Sequence, residues 1–155
     1  MAQVPTTVRV CLIRPKREYL RRMPNSTRSV VEEYFRLLGS GDLEGATELL
    51  SEPIDWFTPG DTDLIPWMGS RSSHEQVHEF FRQAGENMEP EKFQVHRIVV
   101  EGELAIVLGH FQYKVKATGK SFASDFALEL RVTDGLIDRY RMHEDSYAIS
   151  LAFLT

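Results

Sequence analysis

The order of elements along the sequence predicts an α+β domain in which helices lie on one face of a curved, mainly antiparallel sheet. Two observations carry this reading. Apolar residues recur at helical spacing in three segments before residue 85, and at strand spacing in four long segments after residue 92. Helix-type segments therefore precede strand-type segments instead of alternating with them, which segregates the two kinds of element.

Each element has its own signal. Ser29 with Glu32 reads as a capping box, in which each side chain satisfies a backbone N–H of the first turn. Val30, Val31, Tyr34, Phe35 and Leu38 follow on one helical face, and Gly39-Ser40-Gly41 ends that helix. Asp42 caps a short second helix with Leu43, Ala46, Leu49 and Leu50 inward, and Pro53 stops it. Residues 54–58 read as a short strand ending at Pro59-Gly60. The loop of about a dozen residues that follows is long for a compact domain, a length that often marks function. It contains Pro66, Trp67, Met68 and Gly69, and reads as a lid because a large apolar side chain on a loop needs something to cover. Ser73 with Gln76 opens a third helix, with Val77, Phe80, Phe81 and Ala84 on its apolar face. Residues 93–100, 104–115, 122–132 and 136–145 then read as antiparallel strands joined by turns at Gly102, Gly119 and Gly135.

Composition narrows the class. The chain has 155 residues, one domain's worth, of which 42% are hydrophobic and 26% charged. That balance excludes a disordered chain, a collagen-like repeat and a coiled-coil rod. No apolar run approaches the roughly 18 residues of a membrane helix. The longest near the N-terminus, residues 10–13, is also too short for the core of a secretory signal. The single cysteine, Cys11, excludes an internal disulfide and the Cys-rich zinc modules. The expectation is a cytoplasmic domain with no membrane partner.

The net charge of −5 hides an asymmetry. Residues 1–28 carry seven basic side chains against Glu18 alone, whereas the other 127 carry 11 basic and 22 acidic ones. An acidic body repels phosphate backbones, which argues against a nucleic-acid partner. The basic arm, residues 1–27, has three readings: a tail that touches an anionic surface, a transit peptide, or an over-long start, since Met23 opens the more convincing sequence MPNSTRSVVEEYF.

The segments VVEEYFRLLGSGDLEGATELL, FTPG and HEQVHEFF resemble the ketosteroid isomerase group of the nuclear transport factor 2-like superfamily. WFTPGDTDLIPWMGS and VTDGLIDRYRMHEDSYA are more similar to its SnoaL-like branch of polyketide-modifying proteins. The resemblance covers about residues 28–152. It implies a cone-shaped domain, three N-terminal helices on a strongly curved sheet around an apolar pocket, usually assembled as a homodimer. Fold transfers on such a resemblance; function does not.

The catalytic positions therefore need separate inspection. The resemblance implies that Tyr34 stands where a ketosteroid isomerase donates to the oxyanion. Thr58 stands where that enzyme keeps its general base, and Leu128 where it keeps a second acid. Thr58 has no lone pair basic enough to take a proton at pH 7. A limonene epoxide hydrolase would show an Arg-x-Asp pair where His110-Phe111-Gln112 stands, leaving only Asp145 in agreement. Neither known mechanism survives as written. The remaining polar set is Tyr34, His110, Asp125, Tyr140, His143 and Asp145. Histidine with aspartate is the usual pair for proton transfer near neutral pH. The resemblance to SnoaL-like cyclases favours His110 and Asp145 as that pair, with Tyr34 as oxyanion donor. Trp56, Thr58, Trp67, Phe81, Asp125, Tyr140 and His143 are the expected substrate contacts. His74-Glu-Gln-Val-His78 matches the zinc-protease spacing, but it lies beside the apolar face of a helix and lacks the extended motif, so no metal site is expected.

Two functions follow. The first is cofactor-free proton transfer, giving isomerisation, cyclisation or dehydration of a small apolar oxygenated molecule such as a polyketide or terpenoid. The second is a non-catalytic ligand-binding or dimeric interaction module on the same scaffold, which the loss of acids at Thr58 and Leu128 supports.

Overall fold

The computed structural model describes residues 26–155, so nearly all of the basic arm lies outside the described residues. Four helices and six strands follow: α1 (Thr27–Gly39), α2 (Leu43–Glu48), β1 (Leu50–Thr58), β2 (Gly69–Arg71), α3 (His74–Asn87), β3 (Met88–Glu101), β4 (Leu104–Val115), β5 (Ser121–Thr133), β6 (Leu136–His143) and α4 (Ser146–Phe153). The strands form one open sheet in the order β2-β1-β6-β5-β4-β3. All neighbours are antiparallel except β1 with β6. The helices pack on one face, as their segregation in the sequence requires. No helix among the described residues is long and apolar enough to cross a membrane.

The helix starts obey capping chemistry, with one shift. The α1 N-cap is Ser26, whose hydroxyl accepts from the Ser29 N–H at 3.1 Å, so the capping box expected at Ser29 lies inside the helix. Tertiary ties fix this earlier start. Thr27 donates its hydroxyl to the Gly102 carbonyl at 2.6 Å, and Arg28 donates to the Ile98 carbonyl at 3.0 Å, which pins the first turn to the β3–β4 hairpin. Asp42 and Ser73 cap α2 and α3, accepting from Gly45 N–H at 2.8 Å and Gln76 N–H at 3.2 Å.

Inward residues alternate cleanly along β4 and β5: Ala105, Val107, Gly109 and Phe111 on one, Phe122, Ser124, Phe126, Leu128 and Leu130 on the other. Gly109 is required here. A Cβ at this position would land on the Phe126 ring and the Gln94 carbonyl. In β6 the alternation is interrupted, because a bulge separates the pair Val132–Ile137 from Arg131–Arg139. Beyond it the inward phase runs through Tyr140 and Met142.

The C-terminus differs from the expected strand over residues 136–145. The strand stops at His143 and α4 begins at Ser146, capped by Asp145. Ile149 and Ala152 of α4 are buried, and the ring of Phe153 meets Trp67 and Phe122 edge-on or tilted. This helix closes one end of the space between sheet and helices.

Candidate functional site

The space between the sheet and its helices is a cavity of about 660 Å³. Aromatic rings make much of its wall. Phe93, Phe126 and Phe111 form a stacked row on the sheet, with centroids 5.6 and 5.8 Å apart, and Tyr113 stacks on Phe122 at 6.0 Å. Phe35 and Leu38 of α1 and Phe80, Phe81 and Ala84 of α3 face them. Trp67 and Met68 enter from the β1–β2 loop. Arg71 holds that loop by donating to the Trp67 carbonyl at 2.7 Å.

Against this apolar lining stand a few polar groups: Tyr34, Thr58, Tyr113, Tyr140 and Glu144. Among the described residues that line the cavity, Glu144 is the only acid and there is no Lys, Arg or His. Burial pushes the Glu144 carboxyl up from 4.5 to about 7, because ionising it in apolar surroundings forfeits hydration. Its Oε1 has no hydrogen-bond partner among the described residues. All three phenols are pushed above 10 by burial, with the Glu144 charge adding to the shift of Tyr113 and Tyr140. They stay neutral and can donate hydrogen bonds throughout the physiological range. Tyr34 and Glu144 both act on Tyr140 electrostatically, so these groups form one cluster.

The expected site residues divide into two sets. Tyr34, Thr58, Trp67, Phe81 and Tyr140 line the cavity, as does Leu128. Trp56 does not. It is core, 1% exposed, and lies flat behind Tyr140 with ring centroids 3.5 Å apart and planes 2° apart. Its indole N–H donates to the Thr58 hydroxyl at 3.2 Å. His110, Asp125, His143 and Asp145 do not line the cavity either. His110 and Asp125 form a pair at 2.8 Å on the opposite face of the sheet, where Asp125 is 91% exposed. His143 borders an outer cleft with Arg139, Arg141 and Glu129, a cleft that Met142 and Glu144 also line. Asp145 is exposed and spends its carboxylate on the Ala148 N–H at 2.9 Å, the helix-cap role.

The expectation that His110 and Asp145 converge in the pocket as base and partner is therefore corrected, for two reasons. β4 places even-numbered side chains outward at residue 110, and β6 ends before residue 145. Gln112, also outward, donates to Glu91 at 2.7 Å. The residues the sequence reading missed are Tyr113 and Glu144. Glu144 stands one residue past the end of β6 and continues, at spacing two after Tyr140 and Met142, the face that the apolar residues mark as inward.

His74 of the zinc-protease-like motif donates from Nε2 to the Leu50 carbonyl at 3.0 Å, and its Nδ1 lies 3.7 Å from Glu52. Among the described residues no three His, Cys, Asp or Glu side chains are grouped to hold a metal ion.

A family model for the SnoaL-like domain matches residues 31–140, from α1 through the inward Tyr140. The chain belongs to the SnoaL-like family. Solved structures agree on the fold. An NTF2-like protein from Burkholderia xenovorans superposes with TM-score 0.74 at 25% identity, covering 83% of this chain and 95% of that one. A candidate SnoaL-like polyketide cyclase from Mesorhizobium loti gives 0.63 at 22% identity, covering 76% and 98%. An epoxide hydrolase of M. tuberculosis, similar to limonene epoxide hydrolase, gives 0.62 at 14% identity, covering 82% and 88%. No curated protein sequence matches. Within the SnoaL-like family this chain is a small-molecule pocket protein whose cavity holds one acid and three phenols.

Proposed function

We propose that this SnoaL-like protein performs proton transfer, without a cofactor, on a small and mostly apolar molecule bearing a carbonyl group. The observation that carries the reading is the Glu144 carboxyl, held in an aromatic cavity with its proton affinity raised to about 7. A group with that affinity is near its best as a base and as an acid at neutral pH. Glu144 takes a proton from carbon next to the carbonyl, and the electron pair moves onto the oxygen. Tyr34, Tyr113 and Tyr140 supply neutral O–H donors to the oxyanion in a site of low dielectric, where such donors are worth most. Returning the proton to another atom gives isomerisation; attack by the enolate on a second carbonyl gives cyclisation.

The test is exchange of α-protons for deuterium in D2O, followed by NMR on a panel of apolar ketones that the protein binds. Glu144→Gln keeps the shape and removes the base, so exchange falls by at least about a hundredfold with binding retained. Equal exchange by native protein and Glu144→Gln overturns the assignment. Binding without exchange by the native protein instead favours the non-catalytic pocket reading, which the absence of acids at Thr58 and Leu128 supports.

We further propose that two copies associate through the outer face of β3 and β4. Val99, Leu104 and Leu108 expose large apolar side chains there, 38–49% accessible, with Ile106 among them on the same face.

A further inference from the structure

The position where the resemblance to ketosteroid isomerases expects a proton acceptor carries a side chain whose bonding runs the other way. Thr58 is 4% exposed and lines the cavity at the end of β1. Its hydroxyl oxygen lies 3.2 Å from the Trp56 indole nitrogen. An indole N–H only donates, so this contact occupies a lone pair of Thr58 and leaves the threonine's own O–H uncommitted. Among the described residues no acceptor takes that O–H. Trp56 cannot turn away. It is held flat against Tyr140 at 3.5 Å, and Phe80 and Phe81 meet it edge-on at 5.2 and 6.1 Å.

We propose that Thr58 is a specificity-determining hydrogen-bond donor to an acceptor oxygen of the ligand, a carbonyl or ether, and that Trp56 is the positioning residue that fixes its direction. This deepens the reading of the cavity as a site for an apolar oxygenated molecule and rests on it. The chemistry gives a rule for ligands. A molecule that places an oxygen lone pair at Thr58 satisfies a donor that the protein leaves unpaired. A hydrocarbon of the same shape buries that donor without a partner and is rejected.

The experiment is calorimetric titration of 1-tetralone, 2-tetralone and tetralin into native protein and three variants. The probes share one bicyclic frame and differ in the oxygen. Thr58→Val keeps the volume and deletes the hydroxyl. It is expected to weaken at least one tetralone by about fivefold, as loss of one neutral hydrogen bond implies, while tetralin, relieved of an unpaired donor, binds as well as before or more tightly. Thr58→Ser keeps the donor and retains the preference. Trp56→Phe keeps a ring against Tyr140 but deletes the N–H, and is expected to lower the tetralone preference without changing tetralin. Equal losses for ketone and hydrocarbon in Thr58→Val, or no loss for either tetralone, overturns the donor assignment while the cavity reading stands. If none of the three probes binds the native protein, the cavity reading itself fails and this inference falls with it.

Discussion

Glu144→Gln should make the protein more stable, and only above a certain pH. In the unfolded chain the carboxyl titrates at its ordinary 4.5; in the folded protein burial raises this to about 7. Below pH 4.5 both states are protonated and the residue contributes nothing to pH dependence. Between 4.5 and 7 the folded state holds a proton that the unfolded state has released, so raising the pH stabilises the unfolded state relative to the folded one. Above 7 both are ionised and the penalty has reached its full size. A shift of this extent corresponds to about 3 kcal/mol at most, discounted for whatever water enters the cavity. The Gln variant carries no such penalty. For a domain of this size, 3 kcal/mol corresponds to a melting-temperature gain of roughly 6–12 °C. The assay is urea and thermal unfolding of native and Glu144→Gln protein at half-unit steps from pH 4 to 8.5, read as the difference between the two. That difference should be near zero at pH 4 and open in favour of the variant through pH 5–7. A flat difference, or one favouring the native protein at pH 8, would refute the claim that this carboxyl is held in apolar surroundings.

The remaining predictions separate the cavity from the residues outside it. Tyr34→Phe removes a buried hydroxyl that has no partner, so stability should hold or rise by about 1 kcal/mol while ketone-binding affinity drops severalfold by titration. Asp145→Ala should cost about 1 kcal/mol by denaturation, through the lost α4 cap, with α-proton exchange unchanged. His110→Ala should alter stability by under about 1 kcal/mol and leave ligand affinity unchanged, since its pair with Asp125 faces water. Gly109→Ala should cost about 2 kcal/mol or more, because its Cβ meets the Phe126 ring and the Gln94 carbonyl. The proposed association through the outer sheet face predicts a dimer for the native protein by sedimentation and a monomer for Leu108→Asp.

The helices and hairpins were legible because their signals are local. Asp42 and Ser73 sit at helix starts with their caps made, and Gly102, Gly119 and Gly135 occupy turns at positive φ, from 59° to 79°. The aromatic and helical walls of the cavity followed from periodicity. The chemistry did not, because it depends on strand phase. In β4 both faces are apolar near its start, Ala105 and Val107 inward, Leu104, Ile106 and Leu108 outward, so the pattern could not say on which side His110 falls. In β6 the bulge shifts the phase between Ile137 and Tyr140, and the strand expected over residues 136–145 ends at His143, before Asp145. Only the apolar Met142 two residues before Glu144 pointed to the buried acid. The role of Trp56 was a matter of third dimension: nothing in the sequence places its ring behind Tyr140.

The most direct test is to titrate Glu144 itself. Protein labelled with 13C at the glutamate side-chain carboxyls, with Glu144→Gln to assign the resonance, would be followed by NMR from pH 4 to 9 with and without a bound ketone. A midpoint near 7 that moves when the ketone fills the cavity is the expected result. A midpoint near 4.5, unmoved by ligand, would show a solvated carboxylate and remove the base on which the proposed chemistry depends.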